Sequence, residues 1–225
     1  MPHSPETNGD APAWSAMRGA LLQGVAHAFG NRVFALGAVR DALGEEPGMD
    51  AELLRAFGDE IGRLQGCLRA LRLLAPDHRP AEAVHFVGLL DEVDSLLAFH
   101  ADLRDVPCER LVVGDIPPVL ARRGVLARLL MLVVGGARRA AAAGGTSAIV
   151  RCTAEADVVR LEVAPTGASS PAAESEVEAM ARSAAYLAPQ LDGVLVLTGN
   201  GDGWTLTLPS LAASRRRERE APHAG

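Results

Sequence analysis

Apolar positions between residues 14 and 75 recur at intervals of seven. In a first run Leu22, Phe29, Leu36 and Leu43 are seven apart, Val25 and Val39 fill the intermediate positions, and Arg32 is the one break. In a second run Leu54, Ile61 and Leu68 repeat at seven, and so do Phe57, Leu64 and Leu71, offset by three. This is the seam spacing of packed helices. GEEPG (44–48) separates the runs with turn residues, and APDHRP (75–80) ends the second with two prolines. Asp50 is positioned to cap the second helix. Two helices on a short connection form an αα-hairpin. A lone hairpin cannot cover both faces of its seam, whereas two copies can, as a four-helix bundle. The pattern therefore predicts a homodimer through residues 14–75.

Beyond residue 80 the pattern changes. Residues 83–103 read as an amphipathic helix with Phe86, Leu89, Leu90, Val93, Leu96 and Leu97 on one face. ERLVVGD (109–115) reads as a short strand, and residues 119–143 as a long helix closed by Gly144 and Gly145. Residues 147–164 alternate in two runs around an acidic turn, the pattern of a β-hairpin. A helix over 172–187 follows, then a second hairpin whose turn, NGDG (200–203), suits positive φ. The expected class is α+β. A dimeric helical hairpin over 14–78 precedes an α/β sandwich over 83–210, with a mostly antiparallel sheet covered by helices on one face. Residues 1–13 and the Arg-rich tail 211–225 lack apolar periodicity and are expected to be disordered.

Composition narrows the function classes. The net charge of −6 gives no electrostatic case for nucleic acid. The longest apolar run, VLARLLMLVV, is too short to cross a bilayer and is broken by Arg128, and the N-terminus lacks the pattern of a signal peptide. A soluble cytoplasmic protein is the expectation. Cys67, Cys108 and Cys152 are widely spaced and read as reduced thiols. Of the six histidines, His85 and His100 lie on a helix without metal-spaced partners, and His3, His78 and His223 fall in loop or tail. His27 differs. In the heptad register it points away from the seam, with Asn31 one turn later and Phe34 seven residues on. A phenylalanine beneath an outward histidine suggests a docking face. A shifted register would instead turn Phe34 toward the following domain.

The order of these pieces resembles the core of a sensor histidine kinase, a phosphotransfer hairpin followed by an ATPase-like domain. The residues that carry the resemblance are AHAFGNR (26–32) for the phosphoacceptor box, ARLLMLVVGGARRA (127–140) for the helix of the magnesium-binding asparagine, and VVRLEVAPTGAS (158–169) for the strand leading to the first glycine-rich box. The departures are specific. Gly135 stands where the family has its asparagine, and Pro165 where it has the adenine-binding aspartate. Gly167 alone remains of that box, and no GxGLG follows. Adenine recognition, Mg²⁺ coordination and phosphate binding all lose their groups, so neither ATP nor any other cofactor is expected to bind. Ala28 stands where the family usually has an acid after the histidine, which weakens autophosphorylation.

The pattern is similar to bacterial histidine phosphotransferases of sporulation and cell-cycle phosphorelays. That likeness implies that His27 accepts a phosphoryl group from a response-regulator receiver domain that brings its own Mg²⁺. Asn31 and Arg32 would assist, and Phe34, Ala28 and Asp41 would touch the receiver. Two other readings stay open: a non-catalytic pseudokinase adaptor, which Ala28 favours, and a phosphatase acting through Asn31.

Overall fold

The computed structural model describes residues 11–45, 51–76, 79–168, 170–198 and 203–220. Asp50, the centre of the expected turn at 44–48, residues 200–202 of the NGDG turn, and His3, His78 and His223 lie outside these residues. Helix α1 (Ala11–Glu45) and helix α2 (Ala51–Leu74) lie side by side as the expected hairpin. Then follow β1 (Glu82–Val84), α3 (Phe86–Leu97), β2 (Cys108–Val113), β3 (Val119–Ala121), α4 (Arg123–Gly144), β4 (Ala148–Glu155), β5 (Val158–Pro165), α5 (Pro171–Leu187), β6 (Val194–Thr198), β7 (Gly203–Pro209) and α6 (Leu211–Glu220).

Five strands form a mixed sheet in the order β2-β4-β5-β7-β6, in which only β2 and β4 run parallel. The β4–β5 hairpin turns at Ala156, whose φ of 47° is left-handed. Alternation along β4 and β5 sends Val150, Cys152, Val159, Leu161 and Val163 to the helix-covered face. Helix α4 lies at the centre of the core, buried on nearly every side from Leu126 to Ala141. Gly136 lets the helix approach Trp204 of β7, because a Cβ there would stand 2.9 Å from the indole ring. Gly145, at φ 63°, closes α4 in the expected left-handed cap.

Three expectations need correction. The helix expected over 83–103 is shorter. Residues Glu82–Val84 instead pair antiparallel with Val119–Ala121, which also displaces the start of the next helix to Arg123. At its other end α3 tightens after Leu97, where the Phe99 and His100 amides donate to carbonyls three residues back. The tail expected to be disordered is helical over Leu211–Glu220. The Ser210 hydroxyl accepts from the Ala213 amide at 3.2 Å as a helix cap, the Leu211 amide donates to the Pro118 carbonyl, and Arg216 pairs with Asp157. At the other terminus α1 starts at Ala11, inside the stretch expected to be disordered.

Hairpin and sheet also share one core. Met17, Leu21 and Val25 of α1 and Cys67, Ala70 and Leu74 of α2 are buried in the same apolar cluster as α3, α4 and the sheet. Helix α1 therefore has a second apolar stripe, spaced at four, beside the seam of sevens. Among the described residues no helix is long and apolar enough to cross a membrane.

Candidate functional site

The two apolar stripes of α1 decide where its polar residues go. At roughly 100° per residue, Met17, Leu21, Val25 and Ala28 fall on one side, and Ala28 packs against the shared core. His27 falls outside both stripes and is exposed, as are Asn31 and Phe34. Phe34 is the barest large apolar side chain among the described residues, at 81% exposure. It faces solvent rather than the following domain. His27, Asn31 and Phe34 thus share one outward stripe of a continuous helix, as the register predicts.

The Asn31 amide Nδ2 and His27 Nε2 stand within hydrogen-bond distance, at 3.3 Å. The contact places Nε2, rather than Nδ1, on the side of Asn31. Arg32 turns the other way. Its guanidinium donates to Glu60 of α2 at 3.5 Å, and Arg63 donates to the same carboxylate oxygen. Glu60 is buried, and two cations against one buried carboxylate hold the hairpin together opposite the histidine. Arg32 is therefore a structural partner of Glu60 rather than a neighbour of His27. Asp41 lies near the end of α1, and its side chain falls outside the described ones.

The sheet domain reaches almost to the histidine. Gly24, one turn before His27, meets the loop after α3 so closely that a Cβ would stand 1.7 Å from the Phe99 carbonyl oxygen. Trp14 stacks under Arg128 of α4, with the guanidinium carbon 4.9 Å from the ring centroid. These contacts carry α1 across α4 and α5. They also explain Ala28 physically: an acid at that position would point toward packed apolar surface.

The space beside Gly135 on α4 is filled by protein. A Cβ on Gly135 would stand 2.6 Å from Met17 Cε, with Leu97 and Leu103 behind it. Pro165 ends β5 opposite Ala148, and Gly167 packs on Thr146. The sequence singles out Gly135 but gives no sign that Met17 closes on it.

The remaining titratable groups read as structural. The His100 ring accepts the Asp102 amide at Nδ1, and burial lowers its pKa against the raising effect of Asp102. Burial pushes the Cys152 thiol up to about 11 and raises Cys108 as well, so neither is an activated thiolate. Among the described residues no group of three His, Cys, Asp or Glu side chains could hold a metal.

No protein-family model matches the chain. No curated protein matches it either. Among solved structures it is similar to full-length ShkA in complex with AMPPNP, at 21% identity and a TM-score of 0.44, over 84% of this chain and 45% of that one. It is similar to the catalytic domain of the histidine kinase ThkA, at 13% identity and a TM-score of 0.47, over 59% of this chain and 98% of that one. A bacterial phosphotransferase matches at 13% identity and a TM-score of 0.42, over 85% of this chain and 95% of that one. The chain spans less than half the length of ShkA. Likeness at this level assigns neither a family nor an activity.

Proposed function

We propose that this protein is a histidine phosphotransferase that moves a phosphoryl group between response-regulator receiver domains through His27. One observation carries the reading: an exposed imidazole whose Nε2 faces Asn31, on a continuous helix beside a bare phenylalanine. The lone pair of Nε2 attacks the phosphorus of a receiver's aspartyl phosphate. A P–N bond forms as the P–O bond breaks, and the carboxylate leaves with the bonding pair. Attack by the aspartate of a second receiver reverses these steps. Asn31 must release Nε2 as the phosphorus approaches, and its amide is then placed to contact a phosphoryl oxygen. Each receiver supplies its own Mg²⁺, and Phe34 forms the apolar centre of the docking face. Two copies of the hairpin form the bundle that carries two such sites.

The test follows radiolabel from a receiver domain charged with labelled acetyl phosphate. The wild-type chain is expected to acquire an acid-labile, alkali-stable label, and His27→Gln to acquire none. Equal loss of receiver phosphate with wild type and His27→Gln would sink the proposal. Asn31→Ala is expected to slow transfer while His27 still takes label. Ala28, without an acid to polarise the imidazole, favours a second reading, a non-catalytic adaptor. Receiver binding that neither variant changes, without any label transfer, would establish the adaptor instead.

ATP plays no part in this mechanism. The support is Met17 seated against Gly135, together with Pro165 where an adenine acceptor is needed. Restoring the asparagine, Gly135→Asn, is expected to cost about 1–3 kcal/mol of stability through overpacking. It is not expected to produce binding of Mg²⁺–ATP. Chemical denaturation and calorimetric titration with ATP check the two parts.

A further inference from the structure

Where the hairpin meets the sheet domain, a half-open cavity of about 430 Å³ is lined by Arg69, Arg72, Arg79 and Arg123, with Leu73, Ala75 and Pro76 as its apolar wall. The arginines come from three places: the last turns of α2, the following linker and the first turn of α4. Glu92 of α3 is the one carboxylate in the lining, and it is already paired with Arg123. Arg69 and Arg72 are exposed and have no ion-pair partner among the described residues. The cleft thus concentrates more positive charge than its own carboxylate offsets, in a protein whose net charge is −6. Like charges gathered from separate elements repel in the empty cleft, and a bound anion relieves that repulsion. The first turn of α4 holds no acidic residue, so the positive end of the helix dipole adds to the same field.

A second groove of about 280 Å³ adjoins the first and shares Arg69, Leu73 and Glu92 with it. Ala70, Leu96 and Phe99 supply its apolar surface, and Phe99 is the residue whose carbonyl meets Gly24 of α1. Guanidinium forks match phosphate oxygens in pairs. The geometry points to a binding site for a small phosphate-bearing ligand at this junction, its phosphate among Arg69, Arg72 and Arg123. The ligand is either an inorganic polyphosphate or an organic phosphate whose apolar body lies along Leu73 and Phe99. The site lies on the face of α2 that meets α3 and away from the His27 stripe, so an occupant stiffens the joint between hairpin and sheet domain without covering the histidine.

Two probes separate the sources: inorganic pyrophosphate, which offers phosphate alone, and phenyl phosphate, which adds an apolar ring. Calorimetric titration of the full chain at low salt is expected to show saturable binding of at least one of them. The tighter probe identifies the source. The Arg69→Ala/Arg72→Ala double variant is expected to weaken that binding at least tenfold. Both side chains are exposed on α2, so the double variant is expected to keep the wild-type melting profile without ligand. Arg69→Lys/Arg72→Lys keeps the charge, loses the fork, and is expected to bind with intermediate affinity. Failure of both probes to bind at millimolar concentration, or equal affinity in wild type and the alanine double variant, would overturn the proposal.

Discussion

Gly24→Ala is expected to destabilise the protein, although the same exchange one turn and a residue earlier, Gly19→Ala, is expected to stabilise it. Both glycines lie inside α1, where alanine is worth about 1 kcal/mol more than glycine through helix propensity. At Gly19 nothing stands within 4 Å of the added Cβ, so propensity acts alone. At Gly24 the methyl would stand 1.7 Å from the Phe99 carbonyl oxygen and 2.7 Å from its carbon. A backbone carbonyl has no rotamer with which to yield, so either α1 lifts from the sheet domain or the loop after α3 moves. Overpacking of this kind costs about 1–3 kcal/mol and occasionally more. Lifting α1 would also withdraw Met17, Leu21 and Val25 from the shared core. Net destabilisation of about 2 kcal/mol corresponds to a fall in melting temperature of roughly 4–8 °C for a chain of this size. Thermal melts of the two variants decide the matter by sign. Stabilisation in both would mean that α1 does not rest on the Phe99 loop.

That contact was not legible in the sequence, and the reason is physical. Helix α1 carries two apolar stripes that overlap in the string of letters, one spaced at seven through Leu22, Phe29 and Leu36, the other at four through Met17, Leu21 and Val25. A reading in terms of a bundle uses the first and has no use for the second. His27 was legible as exposed because it belongs to neither. The pairing of Arg32 with Glu60 was not legible because its partner is 28 residues away, and a pair across a hairpin leaves no local signal. The β1–β3 pair failed for the same reason, since three-residue strands show no period and take their meaning from each other. Hairpins such as β4–β5 were legible because both strands and their turn are contiguous. The capped helix after Ser210 was hidden because its buried residues, Ala213 and Ser214, are too small to register as a hydrophobic face. The arginine cleft draws on three elements and could only emerge once they were folded together.

Asp at both Ile61 and Leu68 is expected to convert the protein from a dimer to a monomer. Leu54, Phe57, Ile61, Leu68 and Leu71 lie on one side of α2, and each is between 37% and 45% exposed in the single chain. The opposite side of the same helix is spent on the core, through Cys67, Ala70 and Leu74. An apolar stripe five residues long facing water marks a contact with another surface. Its spacing at sevens suits a copy of itself, because a two-fold axis brings the same stripe to both sides. Symmetry also doubles every substitution, so two carboxylates per chain place four in the bundle. At about 1.4 kcal/mol for each, dimer association weakens by roughly four decades. Light scattering on a sizing column is expected to give twice 23.5 kDa for wild type and 23.5 kDa for the double variant. Neither side chain is buried in the single chain, so the monomer itself is expected to keep its melting temperature within a few degrees. A wild-type chain that elutes as a monomer at about 100 µM, or a variant that remains a dimer, would place the exposed stripe against some other surface. In the monomeric variant His27 stays on the opposite stripe of α1. Transfer that persists in the monomer would show that one hairpin carries the chemistry, and transfer that fails would show that the receiver needs the second copy.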